Sequence, residues 1–236
     1  MKWHAKYPKK IQLPYSWDLL PYGKQYRNCL EQYFATWFPK LSGYQLLKIG
    51  GLSGEIKCDL PLCHQIILQD KITKNLTALL KNSHTTFIQA DPLNLPFVEK
   101  SINGCLLTNI LNFSQDPHQI LREVQRVCDD EAYLFISLFN PFSALLFKHS
   151  LGIKHQQSFF FRHYLSCRII DWLQLLNFDI IEQKNLVIKN KPYLLSPLIA
   201  IVAQKRIHPL TLQARKLSFP TRTNLEPVAA FKRINS

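Results

Sequence analysis

Glycine is scarce in this chain: seven glycines stand against fourteen prolines in 236 residues. That ratio excludes collagen-like and glycine-rich low-complexity structure. Long apolar runs are missing as well. The most apolar window, Ala132 to Phe147, spans 16 residues and is broken by Asn140-Pro141. A membrane-spanning helix needs about 20. The basic opening MKWHAKYPKK leads into no apolar segment, so no secretory signal is expected. Cysteine lacks a paired framework: Cys29, Cys58, Cys63, Cys105, Cys128 and Cys167 are scattered. Reduced thiols and a cytoplasmic chain are the simpler expectation. Acid is short too, with 16 Asp and Glu against 29 Lys and Arg, a net charge of +13.

That charge sits at the ends. Residues 1–10 hold Lys2, Lys6, Lys9 and Lys10 with no acid, and residues 205–236 hold seven basic side chains against Glu226. The span between them keeps only +3. Such ends are usually solvated; contact with nucleic acid through them is the weaker alternative. What remains is globular in character: 47% hydrophobic and 19% charged residues exclude a disordered chain.

Periodicity gives the organisation. Tyr26, Leu30, Tyr33, Phe34 and Trp37 recur at helical spacing, and Pro39 and Gly43 close that helix. Its aromatic stripe suits packing on the following domain, with a lid over a ligand site as the sharper alternative. From Tyr44 strands and helices alternate. YQLLKI runs into Gly50-Gly51, HQIILQD ends at Asp70, a short helix covers Thr73–Leu80, and TTFIQAD ends at Asp91. NGCLLTNIL reads as a fourth strand and AYLFISLF as a fifth. Between these two, Asp116-Pro117 opens a helix whose buried stripe is Ile120, Leu121, Val124 and Val127. A helix over Phe159–Leu176 and strands over Phe178–Ile188 and Pro197–Gln204 complete the pattern.

Nearly continuous apolar strands alternating with helices predict an α/β, doubly wound, Rossmann-like fold. It has a mostly parallel seven-stranded sheet with helices on both faces, plus an N-terminal helix and a basic C-terminal tail. The expected division is a basic segment and aromatic helix over 1–43, the core over 44–204 and the tail over 205–236. In such sheets ligands bind beyond the carboxyl ends of the strands. The residues to watch are therefore Lys48 to Gly54, Asp70, Asp91, Thr108-Asn109 and Asn140-Pro141.

Three stretches at those ends, LLKIGGLSG, QADPLNLPF and CLLTNILNFSQDPHQILREVQRV, resemble the class I S-adenosylmethionine-dependent methyltransferases of the type-11 kind. RIIDWLQLLNFDIIEQ is similar to that family's last helix and following strand. The resemblance covers residues 44–204. With the preceding PYGKQYRNCLEQYFATWF, the chain is similar to the small bacterial group of methyltransferase-like proteins called YafS.

The resemblance implies S-adenosyl-L-methionine as cofactor. Gly50, Gly51 and Gly54 form the turn that in the family holds the methionine part, where glycine lets the backbone come close. Asp70, 20 residues after Gly50, is the candidate for the ribose hydroxyls. Asp91, with Leu93 beside it, is the adenine candidate, and Thr108 and Asn109 stand where the family lines the methyl-donor end. Turn-capping is the plainer role for Asp70 and Asp91.

Three positions depart from the family. Lys48 replaces an acid, Leu52 replaces the middle glycine, and Pro92 has no N–H to offer adenine. If Lys48 faces the pocket, it should favour the neutral demethylated product over the cationic donor. If it turns outward, its ammonium should lie in water. Cys58-x4-Cys63-His64 offers three ligands, too few for a structural zinc site, so no metal is expected. Asn140-Pro141-Phe142 reads as a rim turn and His118 as a solvated helix residue.

The expected function is methyl transfer to a small-molecule acceptor, with Phe142, Phe147, Phe159, Phe160 and Phe161 near the acceptor side. No catalytic base is assigned. The alternative is a non-catalytic Rossmann-like module that binds a partner or RNA through its basic ends.

Overall fold

The computed structural model describes residues 12–41, 43–60, 63–69, 84–143, 150–151, 159–187 and 196–206. Asp70, the helix expected over Thr73–Leu80, Phe147 and the basic segments 1–10 and 207–236 lie outside them.

Seven strands form the main sheet: β1 (Gln45–Ile49), β2 (His64–Leu68), β3 (Thr85–Ile88), β4 (Ile102–Thr108), β5 (Cys128–Phe139), β8 (Phe178–Leu186) and β9 (Leu198–Lys205). Their order is β3-β2-β1-β4-β5-β9-β8. Strands β1 to β5 pair in parallel, and β9 runs antiparallel between β5 and β8. A separate hairpin joins β6 (Ser150–Leu151) to β7 (Phe159–Phe160). The chain leaves β1 outward through β2 and β3, then returns to β4 on the other side. The topological switch point therefore lies between the carboxyl ends of β1 and β4.

The helices are α1 (Gly23–Ala35), the single turns α2 (Gly51–Gly54) and α3 (Ile110–Phe113), α4 (Pro117–Val127) and α5 (Ser166–Leu175). Strand side chains alternate between faces. Leu47, Ile49, Leu134 and Ile136 meet Ile120, Val124, Ile169 and Leu173 of α4 and α5 on one face. Leu46, Phe135 and Phe139 meet Trp17, Tyr26, Leu30 and Phe34 on the other. The α1 stripe thus packs on the sheet, with the rings of Phe34 and of Phe38, in the turn after α1, 5.5 and 5.4 Å from Phe135. Each fully buried Phe of this kind contributes about 1.5–3 kcal/mol.

Helix α4 starts where Asp116-Pro117 predicts: Asp116 Oδ1 accepts from Gln119 N at 3.1 Å, and Pro117 is the first helical residue. Other boundaries differ from expectation. The fourth strand stops at Thr108, because Asn109 turns left-handed (φ 54°) and Ile110 starts α3. The third stops at Ile88, three residues before Asp91. The last helix begins at Ser166, and Phe159–Phe160 belong to β7. Among the described residues, no helix is long and apolar enough to cross a membrane.

Candidate functional site

Gly50 closes β1 with φ 83°, a left-handed value that favours glycine. Its N–H donates to Leu68 O at 2.8 Å, which ties the end of β1 to β2. Gly54 N then donates to Gly50 O at 2.9 Å and completes α2. Gly51 is required for a different reason, which is space. A Cβ there would lie 2.1 Å from Tyr15 O and 2.6 Å from Gln69 Oε1. The segment that brings Tyr15 is a strap across the turn. Trp17 Nε1 donates to Leu52 O at 2.8 Å, and Trp17 N donates to Glu55 Oε2 at 3.1 Å.

Gln69 follows β2 and is buried, yet its Oε1 has no hydrogen-bond partner among the described residues. A buried acceptor left unmade costs about 1–3 kcal/mol. This atom, pressed against Gly51, is therefore an acceptor in want of a donor. In the sequence Gln69 stands beside the more obvious acid Asp70, and its signal there is a glutamine ending a buried strand.

Across the switch point the polar groups are engaged. Thr108 N and Thr108 Oγ1 both donate to Ser53 Oγ, at 2.8 and 2.9 Å, and pin α2 to the end of β4. Asn109 Oδ1 accepts from Ser137 Oγ at 2.7 Å, and Asn109 Nδ2 lies 3.4 Å from Asn112 Oδ1. Asn112 also accepts from Phe139 N at 3.1 Å and donates to Arg162 O at 2.7 Å. Thr108 and Asn109 are 1% and 0% exposed, so their side chains serve this network.

Lys48 lies beneath the turn. It is 1% exposed, which overturns the outward alternative. Its Nζ donates to Ile56 O at 2.5 Å, and burial pushes its pKa down to about 8. The Cys58 and Cys63 thiols share this interior, and burial drives Cys58 up to about 12. Among the described residues, no three His, Cys, Asp or Glu side chains gather as a metal site.

Asp91 is exposed after β3, and its Oδ1 accepts from Leu93 N at 2.9 Å, a local turn cap. Leu93 packs against the core face that carries α4. Asn140 forms the rim turn expected of it: Nδ2 donates to Ser196 O at 2.8 Å, and Oδ1 accepts from Phe142 N at 3.0 Å. His118 is half-buried rather than solvated, because its ring lies 3.8 Å from that of Trp172. Burial holds its pKa below the ordinary value. Phe159 and Phe161 are core residues, while Phe142 and Phe160 are exposed.

The family described as "Methyltransferase domain" matches residues 47–136, from β1 through most of β5. The protein YafS of Escherichia coli (strain K12) is 37% identical over 227 residues, which cover 91% of this chain and 90% of YafS. Among solved structures, the methyltransferase held in a complex with the Trm112 activator of Haloferax volcanii superposes with a TM-score of 0.61 at 14% identity. That match covers 79% of this chain and 92% of the other. A SAM-dependent methyltransferase of Methanosarcina mazei gives 0.52 at 18% identity, covering 72% and 97%. These structures share the fold: the sheet is that of the Rossmann-like methyltransferases. Residues 47–136 match the methyltransferase-domain family, and the extent and level of identity with YafS place this chain in the YafS family.

Proposed function

We propose that the protein transfers a methyl group from S-adenosyl-L-methionine to a small-molecule acceptor with an apolar part. The observation that carries this reading is Gln69 Oε1, unpartnered among the described residues and set against Gly51, beside the switch point where doubly wound folds take ligands. The residues there fit the cofactor. Gly50, Gly51 and Gly54 would hold its methionine part, and Gln69 would accept from the ammonium. Asp70 would take the ribose hydroxyls, and Asp91 with Leu93 would take the adenine. When bound, S-adenosyl-L-methionine supplies a methyl group already activated on sulfonium.

The work left to the protein is positioning, which can supply most of the rate in such a transfer. The Ser53–Thr108 contacts hold the turn against β4, and the Trp17 strap fixes α2 from the other side. Exposed Phe142 and Phe160 supply the apolar surface for the acceptor. Six free thiols suit a reducing cytoplasm.

A thermal-unfolding series tests this reading. One millimolar S-adenosyl-L-methionine acting at a dissociation constant near 10 μM adds about 2.7 kcal/mol. The melting temperature should then rise by several degrees. An unmoved midpoint would reject the reading and favour a non-catalytic module, which the internal engagement of Thr108 and Asn109 already favours in part.

A further inference from the structure

A groove runs along the far edge of the sheet. It holds about 520 Å³ between β8 and the outer side of α1, with Tyr33, Trp37, Lys40, Glu182 and Lys184 in its walls. β8 is the edge strand, four strands beyond β1. At the usual strand spacing that is about 19 Å from the glycine turn. The groove is a separate feature, and its volume suits a small organic ligand.

A β-bulge builds it. The pairing of β8 with β9 shifts register between Ile180 and Glu182. Side chains two apart on a strand normally share a face. Here Ile180 packs on the side of α4 and α5, whereas Glu182, Lys184 and Leu186 meet the side of α1. The bulge thus re-aims a carboxylate at the aromatic residues of α1 and the turn after it. Glu182 Oε2 accepts from Tyr33 Oη at 2.7 Å and from Trp37 Nε1 at 3.2 Å. Among the described residues Oε1 has no donor, so the fixed carboxylate keeps one oxygen ready to accept.

Two cations stand on the rings and not on the acid. Lys40 Nζ lies 3.8 Å from the Trp37 ring centre, and Lys184 Nζ lies 5.7 Å from that of Tyr33. Among the described residues neither forms an ion pair. Both lysines are exposed, and an exposed ammonium is held only weakly by a ring. A phosphate oxygen offers it the stronger, charge-assisted bond. Drawing Lys40 away also opens the indole face, on which a planar base stacks.

The walls combine an aromatic face, a fixed acceptor and two cations. A nucleotide carries the matching parts: a flat base with N–H donors on its edge, and an anionic phosphate. The net charge of +13 draws such anions to the chain. A plain anion matches less well, because Glu182 repels it.

We propose that the groove between α1 and β8 is a binding site for a nucleotide, with the base on Trp37 and Glu182 and the phosphate on Lys40 and Lys184. The nucleotide is either free or part of a single strand. The site stands independently of the methyl-transfer reading.

The Trp37 indole N–H is the reporter, assigned with Trp37→Phe among the four tryptophans of the full chain. Guanosine monophosphate should shift its resonance saturably, and inorganic phosphate at the same concentration should not. Lys40→Gln/Lys184→Gln, at two exposed positions, should weaken the nucleotide about tenfold or more. Glu182→Gln should weaken it about threefold or more, because the base loses a charged acceptor.

An unmoved resonance, or equal affinities in the wild type and the lysine variant, would overturn the site. Tighter binding by Glu182→Gln, or an equal shift with inorganic phosphate, would overturn the nucleotide in favour of a plain anion. Displacement of the nucleotide by S-adenosyl-L-methionine, which lacks a phosphate, would overturn the separation from the β1 corner. A short single-stranded oligonucleotide distinguishes the two sources. Tighter binding than the mononucleotide, with a steep salt dependence and the same loss in the lysine variant, would support a strand, and weaker binding would support the free nucleotide.

Discussion

The two corners of the switch point carry similar residue types and use them in opposite ways. At the β4 corner, Thr108 donates to the Ser53 hydroxyl, and Asn109, Asn112 and Ser137 hydrogen-bond one another or the backbone. At the β1 corner, Gln69 keeps a buried acceptor unmade among the described residues, and Lys48 keeps a buried ammonium on the Ile56 carbonyl. The first corner is built for stability. The second holds polar groups at a cost to stability, as the proposed cofactor site would. The difference shows that residue type and position on a strand end do not by themselves make a binding residue. What matters is whether neighbouring atoms have already claimed the polar group.

The largest expected effect strikes the β4 corner. Asn112→Ala removes the partner of Phe139 N, Asn109 Nδ2 and Arg162 O at once. Each buried group left unmade costs about 1–3 kcal/mol, so urea unfolding should show a loss of about 3 kcal/mol or more. A loss below 1 kcal/mol would mean that this network is not structural.

Lys48 probes the other corner through pH. Its folded pKa of about 8 lies below the ordinary value of 10.5. Between those values the unfolded chain binds a proton that the folded chain has released, so stability rises with pH over that window. A gap of this size corresponds to about 3 kcal/mol. Buried thiols such as Cys58, pushed up to about 12, act in the opposite direction over the same range, so the difference between the two proteins is the measure. Lys48→Met should be no less stable than the wild type at pH 7 and should lose stability relative to it between pH 8 and 10, measured as urea midpoints. A constant difference across that range would place the titrating group elsewhere.

Much of this was legible in the sequence. Apolar runs placed the strands, and the Asp116-Pro117 pair fixed the start of α4. Failures came where periodicity carries no information. Phe159 to Phe161 are equally apolar in a helix or a strand, and only pairing with Ser150–Leu151 decides for β7. Ile110 and Leu111 prolong the apolar run of β4, but a buried turn needs apolar residues as much as a buried strand does. The partners of Thr108 and Asn109 come from Ser53 and Ser137, 55 and 28 residues away in sequence, which no local pattern reports.

A smaller effect is expected at Asp91. Its carboxylate caps Leu93 N in an exposed turn, so Asp91→Ala should cost at most about 1 kcal/mol of stability. If it also accepts from adenine, the dissociation constant for S-adenosyl-L-methionine should rise about tenfold. An unchanged constant would remove Asp91 from the site and leave it as a turn cap.

The most direct measurement is calorimetric titration of S-adenosyl-L-methionine into the wild type and into Gln69→Leu, with urea unfolding of both. Leucine removes the unpartnered oxygen while filling similar space. Micromolar binding by the wild type, weakened about tenfold or more in a variant at least as stable, is the expected result. No heat from the wild type at millimolar ligand, or equal dissociation constants for the two proteins, would contradict the assignment of the β1 corner as the cofactor site.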